Sequence, residues 1–246
     1  MFLEIIFFFI STQLIFFSII GYGNLFLTKK ISLNLFFFIS FILGLIFLNI
    51  IGCIFYYLSI KEQIINLGIF IIGIMIFMKK NDLSKINLKN YIFYNLIFFS
   101  GIILSKLHED WPYHFSYIDQ VARFDPIIGI GNIDTIHILS TSFLSYFQKL
   151  LFLPYFDYKM IMIPIYLIYL NFLIFLINEL KYQKNLIKFI FLLITSILII
   201  KINRIAEFGY DYTYNFLLLS IIAIFLKNNF SPNKYIVSSR ILYLII

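Results

Sequence analysis

The chain is built from long apolar runs separated by short polar interruptions. Runs cover roughly 5–27, 33–58, 63–78, 91–107, 158–178, 186–201 and 213–226. A helix that crosses a bilayer needs about 20 mostly apolar residues, and only a helix or a closed barrel satisfies its own backbone there. These runs are apolar on all faces, so each predicts a spanning helix rather than a half-buried surface helix. An eighth run begins near Tyr235, but the sequence stops at Ile246, after too few residues to cross. That predicts a truncated or frameshifted product, or a fragment of a longer polytopic protein. The expected fold class is all-α: a polytopic transmembrane bundle of about seven or eight spans. Residues 1–246 form one membrane domain, incomplete at its C-terminus.

Two stretches break the pattern, and both fall in the long interval 106–157. In 136–153 the polar residues His137, Thr141, Ser145 and Gln148 recur at helical spacing. Ile136, Leu139, Phe143, Phe147 and Leu150 make the other face. This periodicity predicts an amphipathic helix in the plane of the membrane interface, with Asp134 as N-cap and Pro154 as stop. A second short helix is predicted over 112–124, capped by Asp110 or Trp111, with Pro112 in the first turn, where proline is tolerated. Ser116, Asp119, Gln120 and Arg123 form its polar face, and Asp125-Pro126 ends it. The interval 106–157 therefore reads as an external loop region carrying two surface helices.

Composition agrees: 62% of residues are hydrophobic and 13% charged, beyond what one soluble core of this length can hide. With only 10 glycines in 246 residues, helix packing is expected to rest on large interdigitating side chains. The net charge of +7 sits in loops between spans, which argues for membrane orientation rather than nucleic-acid binding. Lys29, Lys30, Lys79, Lys80, Lys85, Lys89, Lys181, Lys184, Lys188, Lys227 and Lys234 fall in one set of alternate loops. Lys61, Lys106, Arg123, Lys149, Lys159, Lys201 and Arg204 fall in the other. The richer set should be cytoplasmic, which puts the N-terminus and 106–157 outside the inner (cytoplasmic) membrane. No basic leader with a small-residue cleavage site is expected at the N-terminus. Cys53 lies alone in an apolar run and makes no internal disulfide.

Two polar clusters stand out from this charge-poor background. His108-Glu109-Asp110-Trp111-Pro112-Tyr113-His114 begins where the fourth span ends. Asp110 and His114 are four apart and can face each other on a helix start. Such a group can act as general base, or hold a divalent metal such as Mg or Mn through Glu109 and Asp110. Read blandly, Trp111 and Tyr113 are interfacial belt residues beside solvated charges. The second cluster, Asn203-Arg204-Ile205-Ala206-Glu207-Phe208-Gly209-Tyr210-Asp211, follows the sixth span. Arg204 suits a phosphate by its planar fork, while Glu207 and Asp211 can orient it or meet a substrate hydroxyl. Its bland reading is a solvated connector. Gly129-x-Gly131 is a turn, since a dinucleotide site would need a third glycine and a preceding strand. Asn49, Asn171 and Asn215 lie in spans, where interhelical hydrogen bonding accounts for them.

Asp110 with Tyr113-His114, at the exit of a span into a long loop, resembles the first external loop of GT-C-type glycosyltransferases. Together with Arg204, Glu207, Gly209 and Asp211, it also resembles a family of uncharacterised bacterial polytopic membrane proteins. The resemblance covers about 100–211. It implies a polyprenyl-phosphate-sugar-dependent enzyme of cell-envelope glycan assembly, with membrane lipid and lipid-linked sugar as partners and no nucleic acid. Asp110 or Glu109 would be base or metal ligand, and Arg204 would bind phosphate. In the standard layout the acidic loop follows the first span, whereas four precede it here. A lipid-linked saccharide flippase or a polymerase is the competing expectation, although the spans are poor in the polar residues a carrier interior needs. An inactive truncated remnant is the third.

Overall fold

The computed structural model describes residues 2–27, 33–80, 91–93, 95–96, 118–126, 144–154, 163–183, 185–200, 215, 218–219 and 221–226. Among them all regular structure is helical. Six helices have defined bounds: α1 Phe2–Gly23, α2 Leu33–Tyr57, α3 Gln63–Lys80, α4 Leu144–Leu150, α5 Ile163–Glu179 and α6 Asn185–Ile200. Helical residues also occur at 91–93, 95–96, 118–123, 215, 218–219 and 221–226, within three further predicted segments. α1, α2 and α3 are long and apolar enough to cross a membrane; α5 and α6 are shorter apolar helices.

Contacts between helices fix their directions. Gly44 of α2 lies against the Ile19 carbonyl of α1, and Gly23 of α1 against the Ser40 carbonyl of α2. The numbers run oppositely, so the two are antiparallel. α1 and α3 run parallel: Gly73 meets Ser18, and Lys80 Nζ donates to Asn24 O at 2.9 Å. α5 is antiparallel to α2, since Asn171 Nδ2 donates to Phe38 O at 3.4 Å while Asn34 Nδ2 reaches Glu179 Oε1 at 3.5 Å. Tyr169 donates its hydroxyl proton to the Leu198 carbonyl, which places the last turns of α6 beside the first turns of α5.

The bundle therefore has two distinct ends. The turn end holds the α2–α3 turn (58–62), the start of α5 and the finish of α6. The opposite end holds Asn24, Asn34, Lys80, Glu179 and Lys181. Lys80 lies at the opposite end, whereas Asp125 pairs with Lys61 at the turn end at 2.7 Å. The chain thus passes from one end to the other between residues 80 and 118, the interval in which a span over 91–107 is predicted.

α5 is the most enclosed helix: all residues from Ile163 to Leu173 are buried. Phe38 stacks on Phe175 at 4.5 Å between ring centroids, and Phe16 lies between Phe41 at 5.3 Å and Tyr91 at 5.2 Å. These large side chains interdigitate as expected. The helix crossings, however, are made by glycine. An added Cβ at Gly21 would meet the Gly73 carbonyl, at Gly44 the Ile19 carbonyl, and at Gly52 the Tyr146 carbonyl. A few glycines at the closest approaches set the spacing, and the aromatic rings fill what lies between. α3 buries a single stripe, Asn66, Ile69, Phe70, Gly73 and Phe77. It leaves Ile64, Ile71, Ile72, Met75 and Met78 exposed, an apolar outer face on a helix long and apolar enough to cross a membrane.

Candidate functional site

At the turn end, α4 and the 118–126 segment bring Asp119, Arg123, Asp125 and Lys149 to the α2–α3 turn with Lys61. The backbone of α4 takes hydrogen bonds from outside the helix. Two asparagines from the long helices supply partners. Asn49 Oδ1 of α2 accepts the Phe147 N–H at 3.0 Å, near the start of α4. Asn66 Nδ2 of α3 donates to the carbonyls of Lys149 at 3.4 Å and Phe152 at 3.1 Å, at its finish. Asn49 lies eight residues before the end of α2 at Tyr57, which is about 12 Å along the helix. α4 thus starts well inside the bundle and ends at the turn.

This corrects the interfacial helix expected over 136–153. Ser145 is 1% exposed and Gln148 0%, so the part of the polar stripe on α4 faces protein. Phe147 and Leu150 on the apolar side are buried as well. The periodicity is real, but amide and hydroxyl groups at helical spacing fit a polar interior as well as a water surface. His137 and Thr141 lie outside the described residues.

Helical residues 118–123 keep the predicted amphipathic character. Ile118, Val121 and Ala122 are buried, Asp119 and Gln120 half-buried, and Arg123 exposed. Arg123 Nε pairs with Asp119 Oδ1 at 2.6 Å, and its guanidinium lies 5.7 Å from the Phe152 ring centre. The Lys61–Asp125 pair is exposed on both sides, 37% and 67% of the side chains, so its stabilising effect is small. The hydrogen bond from Lys61, then that from Ser59, holds the Asp125 carboxyl below the usual aspartate range. Ser59 adopts a positive φ of 55°, which a β-carbon tolerates poorly, at the tight turn between α2 and α3.

Lys149 is the most unusual ionisable group of this corner. It is 2% exposed, and its ammonium donates to the Ile60 carbonyl at 2.6 Å. Burial, followed by the nearby charge of Lys61, pushes its pKa down to about 8, against a weaker opposite pull from Glu62. The sign of the linkage follows. Between about pH 8 and the ordinary lysine value of 10.5, the unfolded chain binds the proton that the folded chain has released. Stability should therefore rise with pH across that window. Lys149→Met should flatten the rise, which unfolding measured at both ends of the window will read.

A second polar group lies deeper, between the helices. Asn95 Oδ1 accepts from Gln13 Nε2 of α1 and from the Tyr166 hydroxyl of α5, each at 3.1 Å. Asn95 Nδ2 returns to the Tyr91 carbonyl at 2.9 Å, and among the described residues Gln13 Oε1 is buried without a partner.

The residues singled out from sequence, Glu109, Asp110, Trp111, Tyr113, His114, Arg204, Glu207 and Asp211, lie outside the described residues. Among the described residues no group of three His, Cys, Asp or Glu is placed to hold a metal ion. Sequence reading passed over Lys149 and Asn66. Their signal was a lysine and an asparagine set within apolar runs, as was already noted for Asn49. The chain matches no family model, no curated protein and no solved structure.

Proposed function

We propose that the chain is a membrane glycosyltransferase that moves a sugar from a polyprenyl-phosphate carrier to a cell-envelope acceptor on the external face of a bacterial inner membrane. A lipid-phosphate sugar presents an anionic leaving group at the bilayer surface. Asp110 or Glu109 would act as base toward the acceptor hydroxyl, and Arg204 would take up charge on the departing phosphate. Tyr113 and Trp111 would contact the sugar, with His114, Glu207 and Asp211 completing the site. One observation carries the reading: the described residues nearest the two clusters, the 118–126 segment through Asp125 on one side and Leu198 on the other, lie toward the same end of the bundle. Residues that must cooperate need that shared side. Lys79, Lys80 and Lys181 belong to the other end, the cytoplasmic one under the positive-inside rule.

Asp110→Asn and Arg204→Ala are each expected to reduce transfer of labelled sugar by at least about 100-fold while insertion and extraction stay normal. Undiminished transfer in both variants would sink the proposal, as would labelling of cysteines at Ser116 and Tyr210 from opposite faces. The carrier reading gains from one finding, the Gln13–Asn95–Tyr166 group inside the bundle. Movement of unaltered lipid-linked saccharide across proteoliposomes would favour it.

A further inference from the structure

We propose that the two ends of the bundle seat in the two headgroup layers of a lipid bilayer, with Tyr57 and Phe124 marking one boundary and Tyr182 and Phe26 the other. The inference rests on the placement of exposed side chains and takes nothing from the transfer reaction.

Tyrosine has an apolar ring and a polar tip, so an exposed tyrosine suits the level where hydrocarbon gives way to water. Among the described residues the only exposed tyrosines are Tyr57, at 64%, and Tyr182, at 65%. Tyr57 closes α2 at the turn end. Tyr182 stands at the opposite end: its N–H donates to the Glu179 carbonyl at 2.9 Å, and Glu179 Oε1 accepts from Asn34 Nδ2 at 3.5 Å. Each shares its end with an exposed phenylalanine. Phe124 precedes Asp125, which pairs with Lys61 at 2.7 Å, and the Phe26 N–H donates to the Gly23 carbonyl at 3.0 Å.

The spacing fits a bilayer. Asn34, at the level of Glu179, and Tyr57 are 23 residues apart on α2, about 35 Å of helix. A bilayer has about 30 Å of hydrocarbon and about 40–45 Å with its headgroups, so tyrosines about 35 Å apart fall in the headgroup layers on both sides. Between those levels the exposed side chains are apolar: Ile50 and Ile54 on α2, and Ile71, Ile72 and Met75 on α3. The exposed face of α3 turns polar only at Gln63 and at Lys79 and Lys80, its two ends. Charge divides in the same way. Lys79, Lys80, Lys181 and Lys188 are exposed at the opposite end, where their ammonium groups would meet lipid phosphates. At the turn end Lys61 and Arg123 are balanced by Asp125 and Asp119. The turn and the 118–126 segment then lie among headgroups rather than in bulk water. α4, held at Phe147 by Asn49, starts below them at the level of the hydrocarbon.

The test uses the full chain in phosphatidylcholine vesicles, carrying Trp111→Phe and one new tryptophan: Tyr57→Trp, Tyr182→Trp or Ile72→Trp. Trp111 is the single native tryptophan, so each variant reports from one place. Lipids brominated at shallow or at deep acyl positions quench an indole lying at their own depth. Tyr57→Trp and Tyr182→Trp are expected to be quenched at least about twofold more by shallow bromine than by deep. Ile72→Trp, midway along α3, should show the reverse preference, again by at least about twofold. All three positions are exposed, so the substitutions spare the packing of the bundle. If Tyr57→Trp does not insert, Leu58→Trp, exposed beside it, reports the same level. Any other depth order, or an indole that no brominated lipid quenches, overturns the proposal.

Discussion

Gly44→Val is expected to prevent assembly of the first two helices. The glycine sits where α2 crosses α1, and even a Cβ there would collide with the Ile19 carbonyl and approach the Gly23 backbone nitrogen. Neither obstacle is a side chain that can rotate away. The helices would have to separate along a contact lined by Ile15, Phe16, Ile19, Phe41 and Leu48, all buried. Overpacking of flexible side chains typically costs about 1–3 kcal/mol, and a backbone collision should exceed about 3 kcal/mol. Unfolding by sodium dodecyl sulfate titration, with size-exclusion chromatography to score monodisperse protein, will measure it. Gly68 is the matched control, because an added Cβ there meets nothing within 4 Å. Gly68→Ala should stabilise α3 by about 0.5–1 kcal/mol through helix propensity. A Gly44→Val protein that behaves like wild type would mean that α1 and α2 do not cross at this point.

The second large effect is expected from Asn66→Leu. This amide satisfies two carbonyls at the finish of α4, on Lys149 and Phe152. Leucine has similar volume, so the change removes hydrogen bonding more than packing. Each carbonyl left buried without a partner costs about 1–3 kcal/mol, which makes the loss about 2–5 kcal/mol. The prediction is local as well as global. A cysteine placed at the buried Ser145 should resist a water-soluble maleimide in the parent chain and react at least about tenfold faster when Asn66 is leucine, because α4 loses its anchor to α3. Asn49→Leu should act in the same direction through the Phe147 N–H, which it leaves unpaired. Equal reactivity in all three backgrounds would show that the asparagines do not hold this segment.

Much of the fold is legible in the order of residues. The boundaries predicted for the first three spans differ from α1, α2 and α3 by only a few residues. The reason is that polar Asn24, Lys61 and Lys80 interrupt otherwise apolar runs, and charged groups are costly inside an apolar layer. Alternation of basic loops anticipated that Lys80 and Lys181 would share one end and Lys61 and Arg123 the other, and the helix directions agree. The spans rich in Phe, Ile and Leu did not disclose which glycines make crossings. A glycine with open space beside it, such as Gly68, and one wedged against a backbone, such as Gly44, look alike in sequence.

The candidate site was less legible. Its sequence clusters were found by charge density, a signal that works only where polar residues face water or one another in loops. Lys149, Asn49 and Asn66 belong to a different kind of arrangement, in which one polar side chain from each of several apolar helices converges. No window of sequence contains that convergence, since Asn66 and Lys149 are 83 positions apart.

By itself, the sequence determined that this is a helical chain with segments long and apolar enough to cross a bilayer, their ends marked by charge. Those properties depend on hydrophobicity summed along contiguous residues and on charge at helix ends, both of which are local. Only the tertiary structure decided that the segment around Phe147 turns inward between α2 and α3, and that Lys149 is buried there beside Lys61. Amphipathic spacing says that one face of a helix is polar. Whether that face meets water or the amides of neighbouring helices depends on partners brought together from distant parts of the chain.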